Sequence, residues 1–305
     1  MELKPLLANR LVFLYYIITL FAPVFGLIAV FFTAIYYGIL EGMEIIPENT
    51  ELPEPVLESL VFDWGLVVGS LAFLLILSRY RPFKTFPLKM GPKSDFLPLL
   101  LLASAYTFTL SVVTEWLLPS SYLEFVDKMN YPQTKIGWIA LAIDAVFLAP
   151  MIEEVLFRGF LLSAYTKARG PRFALYAQAA IFGLIHIEPS TALAAFGFAW
   201  IAGRYMLARG TLLPLILIHA LNNVWYVMNG YFETIHGTNV TVTSDLWGAL
   251  SLALMVATLW LVHRRYPLPE FRPSAPGPVW SASLVLTVAL SILIMALSVS
   301  SYFFE

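Results

Sequence analysis

The stretch "LAPMIEEVLFRGFLL", Leu148–Leu162, sets Glu153, Glu154 and Arg158 inside a run that is otherwise almost wholly apolar. What these charges do depends on the solvent around them, and composition answers that. The chain has 305 residues, 59% hydrophobic and 12% charged, with a mean hydropathy of +0.78. Such numbers exclude a water-soluble globular chain. The expected fold class is all-α, a polytopic membrane helix bundle. The longest polar gap is too short for an added soluble domain, so residues 1–305 read as one membrane domain. Absence of cysteine removes disulfides, thiolate nucleophiles and thiolate metal sites.

Each crossing needs about 20 apolar residues, and the candidate runs suggest about eight or nine spans. They are Leu11–Tyr37, Val61–Leu77, Phe96–Leu118, Ile136–Tyr165, Phe173–Ile187, Thr191–Leu207, Leu212–Met228, Leu246–Val262 and Val279–Ser300. The first is longer than a signal-peptide core and reads as one retained span. Basic residues gather in alternate loops: Lys4 and Arg10; Arg79, Arg81, Lys84, Lys89 and Lys93; Lys167, Arg169 and Arg172; Arg204 and Arg209; Arg264, Arg265 and Arg272. The positive-inside rule then predicts a cytoplasmic N-terminus. The opposite face holds an acidic loop with Glu41, Glu44, Glu48, Glu51, Glu54 and Glu58. The segment "PEFRPSAPGP", Pro269–Pro278, reads as a cytoplasmic connector. No basic-aromatic nucleic-acid patch is present, so the bilayer and not nucleic acid is the expected partner.

Ionisable groups within spans are costly and persist mainly for pairing or function. The chief candidates are Asp144, Glu153, Glu154, Arg158, His186, His219 and Asn223. Counting from span ends at about 1.5 Å per residue puts Glu153, His186 and His219 roughly 10–20 Å deep, in nearly one layer. Glu154 and Arg158 are four apart and can pair, while the helical step turns Glu153 away from that pair. His219 and Asn223 share a face by the same spacing, and "FGLIH" stacks Phe182 beside His186. Asp144 fits cavity lining and a structural hydrogen bond equally well. His236 and His263 read as solvated loop residues.

"EEVLFR", "FGLIH" and "HALNN" resemble the EExxxR, FxxxH and HxxxN motifs of the CPBP (Abi) family of intramembrane proteases, which includes the CAAX prenyl endopeptidases. They stand in the family's order, within a catalytic core of about 136–228 that has two to three spans before it and two after. The resemblance implies an intramembrane endopeptidase acting on a membrane-associated protein or peptide: CAAX-type and lipidated, a pheromone, a bacteriocin-like precursor or a sorting tail. Glu153 and His186 would activate water. His219 and Asn223 would stabilise the oxyanion, with Glu154, Arg158 and Phe182 supporting the site. The site would open toward the cytoplasm. A metal-free glutamate mechanism is favoured, with zinc on Glu153, His186 and His219 as the alternative cofactor reading. Two other functions fit the same residues: a proton-coupled transporter and a noncatalytic membrane scaffold.

Overall fold

The computed structural model describes residues 4–43, 45–47, 51–86, 88–236, 245–270 and 278–304. Glu44, Glu48, Arg272, residues 271–277 of the proline-rich connector and the His236 side chain, all singled out above, lie outside what is described. Among the described residues there are helices and no strand. In chain order they are α1 (Pro5–Leu20), α2 (Ala22–Gly42), α3 (Glu54–Val61), α4 (Asp63–Ser78), α5 (Pro82–Thr85), α6 (Lys93–Leu117) and α7 (Ser120–Asn130). Then come α8 (135–169), α9 (Pro171–Leu184), α10 (Pro189–Arg209), α11 (Leu213–His236), α12 (Asp245–Arg265) and α13 (Ala282–Phe304).

Among the described residues, six helical stretches are long and apolar enough to cross a membrane: Ala22–Gly42, Glu54–Ser78, Lys93–Leu117, Pro189–Arg209, Asp245–Arg265 and Ala282–Tyr302. The sequence expectation of about eight or nine spans therefore counts more than this measure does. The three predicted spans missing from the six are those that carry the motifs. α9 is only 14 residues long, α8 leaves regular α geometry twice, and α11 is diluted by His219, Asn222, Asn223 and Asn229. A helix enclosed by other helices need not be apolar all round, so uniform hydropathy is lost where a polar site is built.

The first predicted span is also corrected. Leu11–Tyr37 is divided at Phe21 (φ −97°, ψ 22°), with Pro23 at the second position of the next helix. Proline has no N–H to continue the ladder and clashes with the preceding turn. The two halves differ in environment. α1 buries Ala8, Leu11, Val12, Tyr15, Tyr16 and Ile18, whereas α2 leaves Phe31, Phe32, Ile35 and Ile39 exposed. α2 meets α3 and α4 through small residues: a Cβ on Gly26 would collide with the Val61 carbonyl, and one on Gly65 with that of Ala22. Small residues let helix backbones approach closely in a bilayer, where no hydrophobic force draws helices together.

At the centre lie α8, α9 and α10, with α1 and α6 packed around them. Asn9 ties three elements together. Its amide donates to the Val279 carbonyl (2.8 Å) and to Ser281 Oγ (2.9 Å), and its oxygen accepts from the Tyr165 hydroxyl (2.6 Å). At one rim, Asp95 accepts from Arg209 and Arg265, joining α6, α10 and α12.

Candidate active site

α8 is one continuous helix that changes register. Its π-helical segments, Ile143–Leu148 and Glu154–Leu161, flank a short α-helical segment, Ala149–Glu153. The cause of the first change is legible in covalent structure. The Ala149 N–H donates five residues back, to the Asp144 carbonyl. Continuing that register, residue 150 would donate to Ala145, but residue 150 is proline and has no N–H. The Ala145 carbonyl is instead taken by the side-chain amide of Asn223, at 2.7 Å. A partly buried carbonyl that loses its helical donor is met here by one from α11. π segments recur at functional sites because the wider turn redirects side chains.

The acids stand where the α segment meets the second π segment. Glu153, its side chain nearly enclosed, accepts from the Tyr15 hydroxyl through Oε1 at 3.1 Å. Its Oε2 lies 3.8 Å from His219 Nε2, beyond direct hydrogen-bonding range. Glu154 is fully buried, with Oε1 3.1 Å from Arg158 Nη1 and 2.9 Å from His219 Nδ1. The expected Glu154–Arg158 pair is present, and Glu154 has a second partner, His219, that the spacing did not indicate. It grips His219 more closely than Glu153 does. The four-residue spacing identified the arginine as a partner; the histidine, 65 residues away in the chain, could be matched only by folding.

His186 sits in the turn after α9, half-buried, with Nδ1 2.7 Å from the Phe182 carbonyl. A carbonyl can only accept, so Nδ1 carries the proton and the neutral ring keeps its free lone pair on Nε2. The ring lies against Phe182, centroids 4.8 Å apart, and within electrostatic reach of Glu153 and His219. The turn is held on its other side by Glu188, the N-cap of α10, which accepts from the Ser190 N–H (2.9 Å), the Thr191 N–H (2.7 Å) and the Tyr122 hydroxyl (2.8 Å). Burial alone would raise the Glu188 carboxyl, but the Ser190 and Thr191 donors outweigh it and hold it below the usual glutamate range. Between His186 and Glu188, Ile187 adopts φ 52°, unusual for a β-branched residue and of a kind that clusters at functional sites.

Aromatic rings wall the cluster. Arg158 lies over Phe182 (4.5 Å to the centroid) and Phe198 (5.6 Å), and Phe198 also packs on the His219 ring at 4.8 Å. Stacking of this kind supports a guanidinium that has little water around it. Asp144, from the first π segment, lies within electrostatic reach of Glu153 and Tyr15.

The structure thus gathers Glu153, Glu154, Arg158, Phe182, His186 and His219 and places Asn223 on the adjoining bulge. Sequence reasoning missed Tyr15, Phe198 and the Ala145 carbonyl. Pro150 inside an apolar helix was the one available signal for the last. Among the described residues, no three His, Asp or Glu side chains are grouped closely enough to hold a metal ion.

The helical bundle brings together an enclosed glutamate, two imidazoles and an arginine-clamped second glutamate from the three motifs. Residues 135–225 match the family model of the type II CAAX prenyl endopeptidase Rce1-like proteins. This match covers under a third of the chain and supports a CPBP, CAAX-protease-like assignment. That family implies a protease with a protein substrate at the membrane. No curated protein and no solved structure matches the chain.

Proposed function

We propose that the protein is a glutamate-dependent intramembrane endopeptidase. Glu153 Oε2 and His186 Nε2 are left free by the hydrogen bonds on the other atom of each group, and together they take a proton from the attacking water. The observation that carries this reading is the pair of locked partners: Tyr15 occupies Glu153 Oε1, and the Phe182 carbonyl occupies His186 Nδ1. What remains on each is a lone pair, as a general base requires.

Water adds to the scissile carbonyl carbon, its proton passes to Glu153 or His186, and the carbonyl oxygen becomes an oxyanion. The leaving amine then takes that proton as the C–N bond breaks. His219 serves the oxyanion. Glu154 accepts from its Nδ1–H, and the ring donates to the oxyanion through Nε2 only when that nitrogen carries a proton as well. Asn223 spends one amide proton on Ala145 and retains a second for the oxyanion. Arg158 balances Glu154 and holds its position.

The substrate is a membrane-associated protein or peptide, CAAX-type by family likeness. The alternating basic loops support a site open to the cytoplasm, with the N-terminus on that side. The test is cleavage of a fluorogenic prenylated CAAX peptide by purified protein in proteoliposomes. Turnover by the wild type, lost in Glu153→Gln with unchanged helicity, is expected. Equal turnover by that variant would overturn the assignment.

A further inference from the structure

A cavity lies where α4, α5 and α8 meet. It has a volume of about 320 Å³ and is walled by Leu74 and Leu77 of α4, Phe83 of α5, and Met151 and Val155 of α8. That size falls within the range of about 300–1,000 Å³ typical of small-molecule sites. Its walls are almost entirely apolar, yet Arg81 and Lys84 stand at its edge. α4 ends at Ser78, so this edge is level with the end of a candidate span. Both cations are exposed, and no carboxylate among the described residues pairs with either.

Arg81 is also held at φ 48°, ψ 53°, directly before Pro82. Non-glycine residues seldom adopt this left-handed conformation, and a following proline restricts the backbone further. Strain of this kind gathers at ligand clamps. An apolar slot at bilayer depth, rimmed by two unpaired cations at the membrane boundary, matches a molecule with a hydrocarbon tail and an anionic head. Basic pockets between spans recognise anionic lipid headgroups by the same complementarity.

We infer that this cavity is a binding site for an anionic phospholipid, one acyl chain lying against Leu74, Leu77 and Met151 and the phosphate meeting Arg81 and Lys84. Its floor, Met151 and Val155, flanks Glu153 and Glu154 in sequence, so an occupant braces the helix that carries both acids. The site stands apart from the protease reading, and its test uses no turnover.

Purified full-length protein is incubated in detergent with phosphatidylglycerol or phosphatidylcholine of the same chains, and bound lipid is counted by native mass spectrometry. One phosphatidylglycerol per chain, retained in preference to phosphatidylcholine, is expected. R81Q/K84Q should weaken that retention about tenfold or more, the effect of removing two interfacial cations. L74W, which fills the slot, should abolish it, and inorganic phosphate should not displace the lipid. Equal retention of the two lipids, or wild-type retention by R81Q/K84Q, would overturn the inference. So would displacement by a neutral prenylated peptide with no dependence on headgroup charge, since the slot would then belong to a substrate tail.

Discussion

At the residue scale, the two neighbouring glutamates differ by what reaches them. Glu153 receives a neutral hydroxyl, Tyr15, and keeps one oxygen free; Glu154 receives Arg158 and His219 through a single oxygen. Glu153→Gln keeps the shape and removes the base, so kcat should fall about 10²–10⁴-fold, the usual contribution of a positioned general base. Tyr15→Phe removes one hydrogen bond and leaves the carboxylate in place. In steady-state kinetics it should lower kcat about tenfold with little change in KM, and an effect on KM alone would show that Tyr15 acts on binding. Tyr15 lies outside the matched region, 138 residues from its partner, which is why no motif pointed to it.

At the scale of elements, the site depends on a helix that departs from its own geometry. Pro150 denies the Ala145 carbonyl a helical donor, and Asn223 supplies one. Pro150→Ala restores an N–H that competes for that carbonyl. We expect a more stable α8 with lower activity, seen as a raised Tm and a reduced kcat. Asn223→Ala leaves the carbonyl orphaned, and should cost about 1–3 kcal/mol of stability in denaturant titrations. The α9–α10 turn yields a pH-dependent prediction. The Glu188 carboxyl is depressed in the folded state, so its stabilisation is fully present above the unfolded value and is lost as pH falls through the folded value. Glu188→Gln should therefore lower Tm at neutral pH, and the gap to wild type should close on acidification below the ordinary glutamate range. Ile187, three residues from α9, could not have been singled out from sequence, since its positive φ arises from closing this turn.

At the scale of the molecule, the matched segment is not self-sufficient. α1 brings Tyr15 to Glu153, while Asn9 links Tyr165 to the start of α13. Removal of residues 1–86 should give protein that aggregates or fails to cleave, even though every motif residue remains; size-exclusion chromatography with the peptide assay checks both. Metal dependence is a whole-protein measurement as well. Purified active protein should carry substoichiometric zinc and keep its turnover after strong chelation. Stoichiometric metal required for cleavage would replace the glutamate mechanism.

Composition alone determined the helical membrane class, because a chain this apolar can satisfy its backbone in lipid only within helices or a closed barrel, and its runs have helical length. Four-residue spacing pointed to the Glu154–Arg158 pair and the Phe182–His186 stack, and both contacts are present, the first in a π segment and the second reaching into the turn past the end of α9. Tertiary structure decided the rest: Tyr15 on Glu153, His219 on Glu154, and Asn223 on the carbonyl that Pro150 leaves open. These contacts join residues from helices distant in the chain. Their geometry follows from how closely small residues and a widened π turn let those helices approach, which no local pattern encodes.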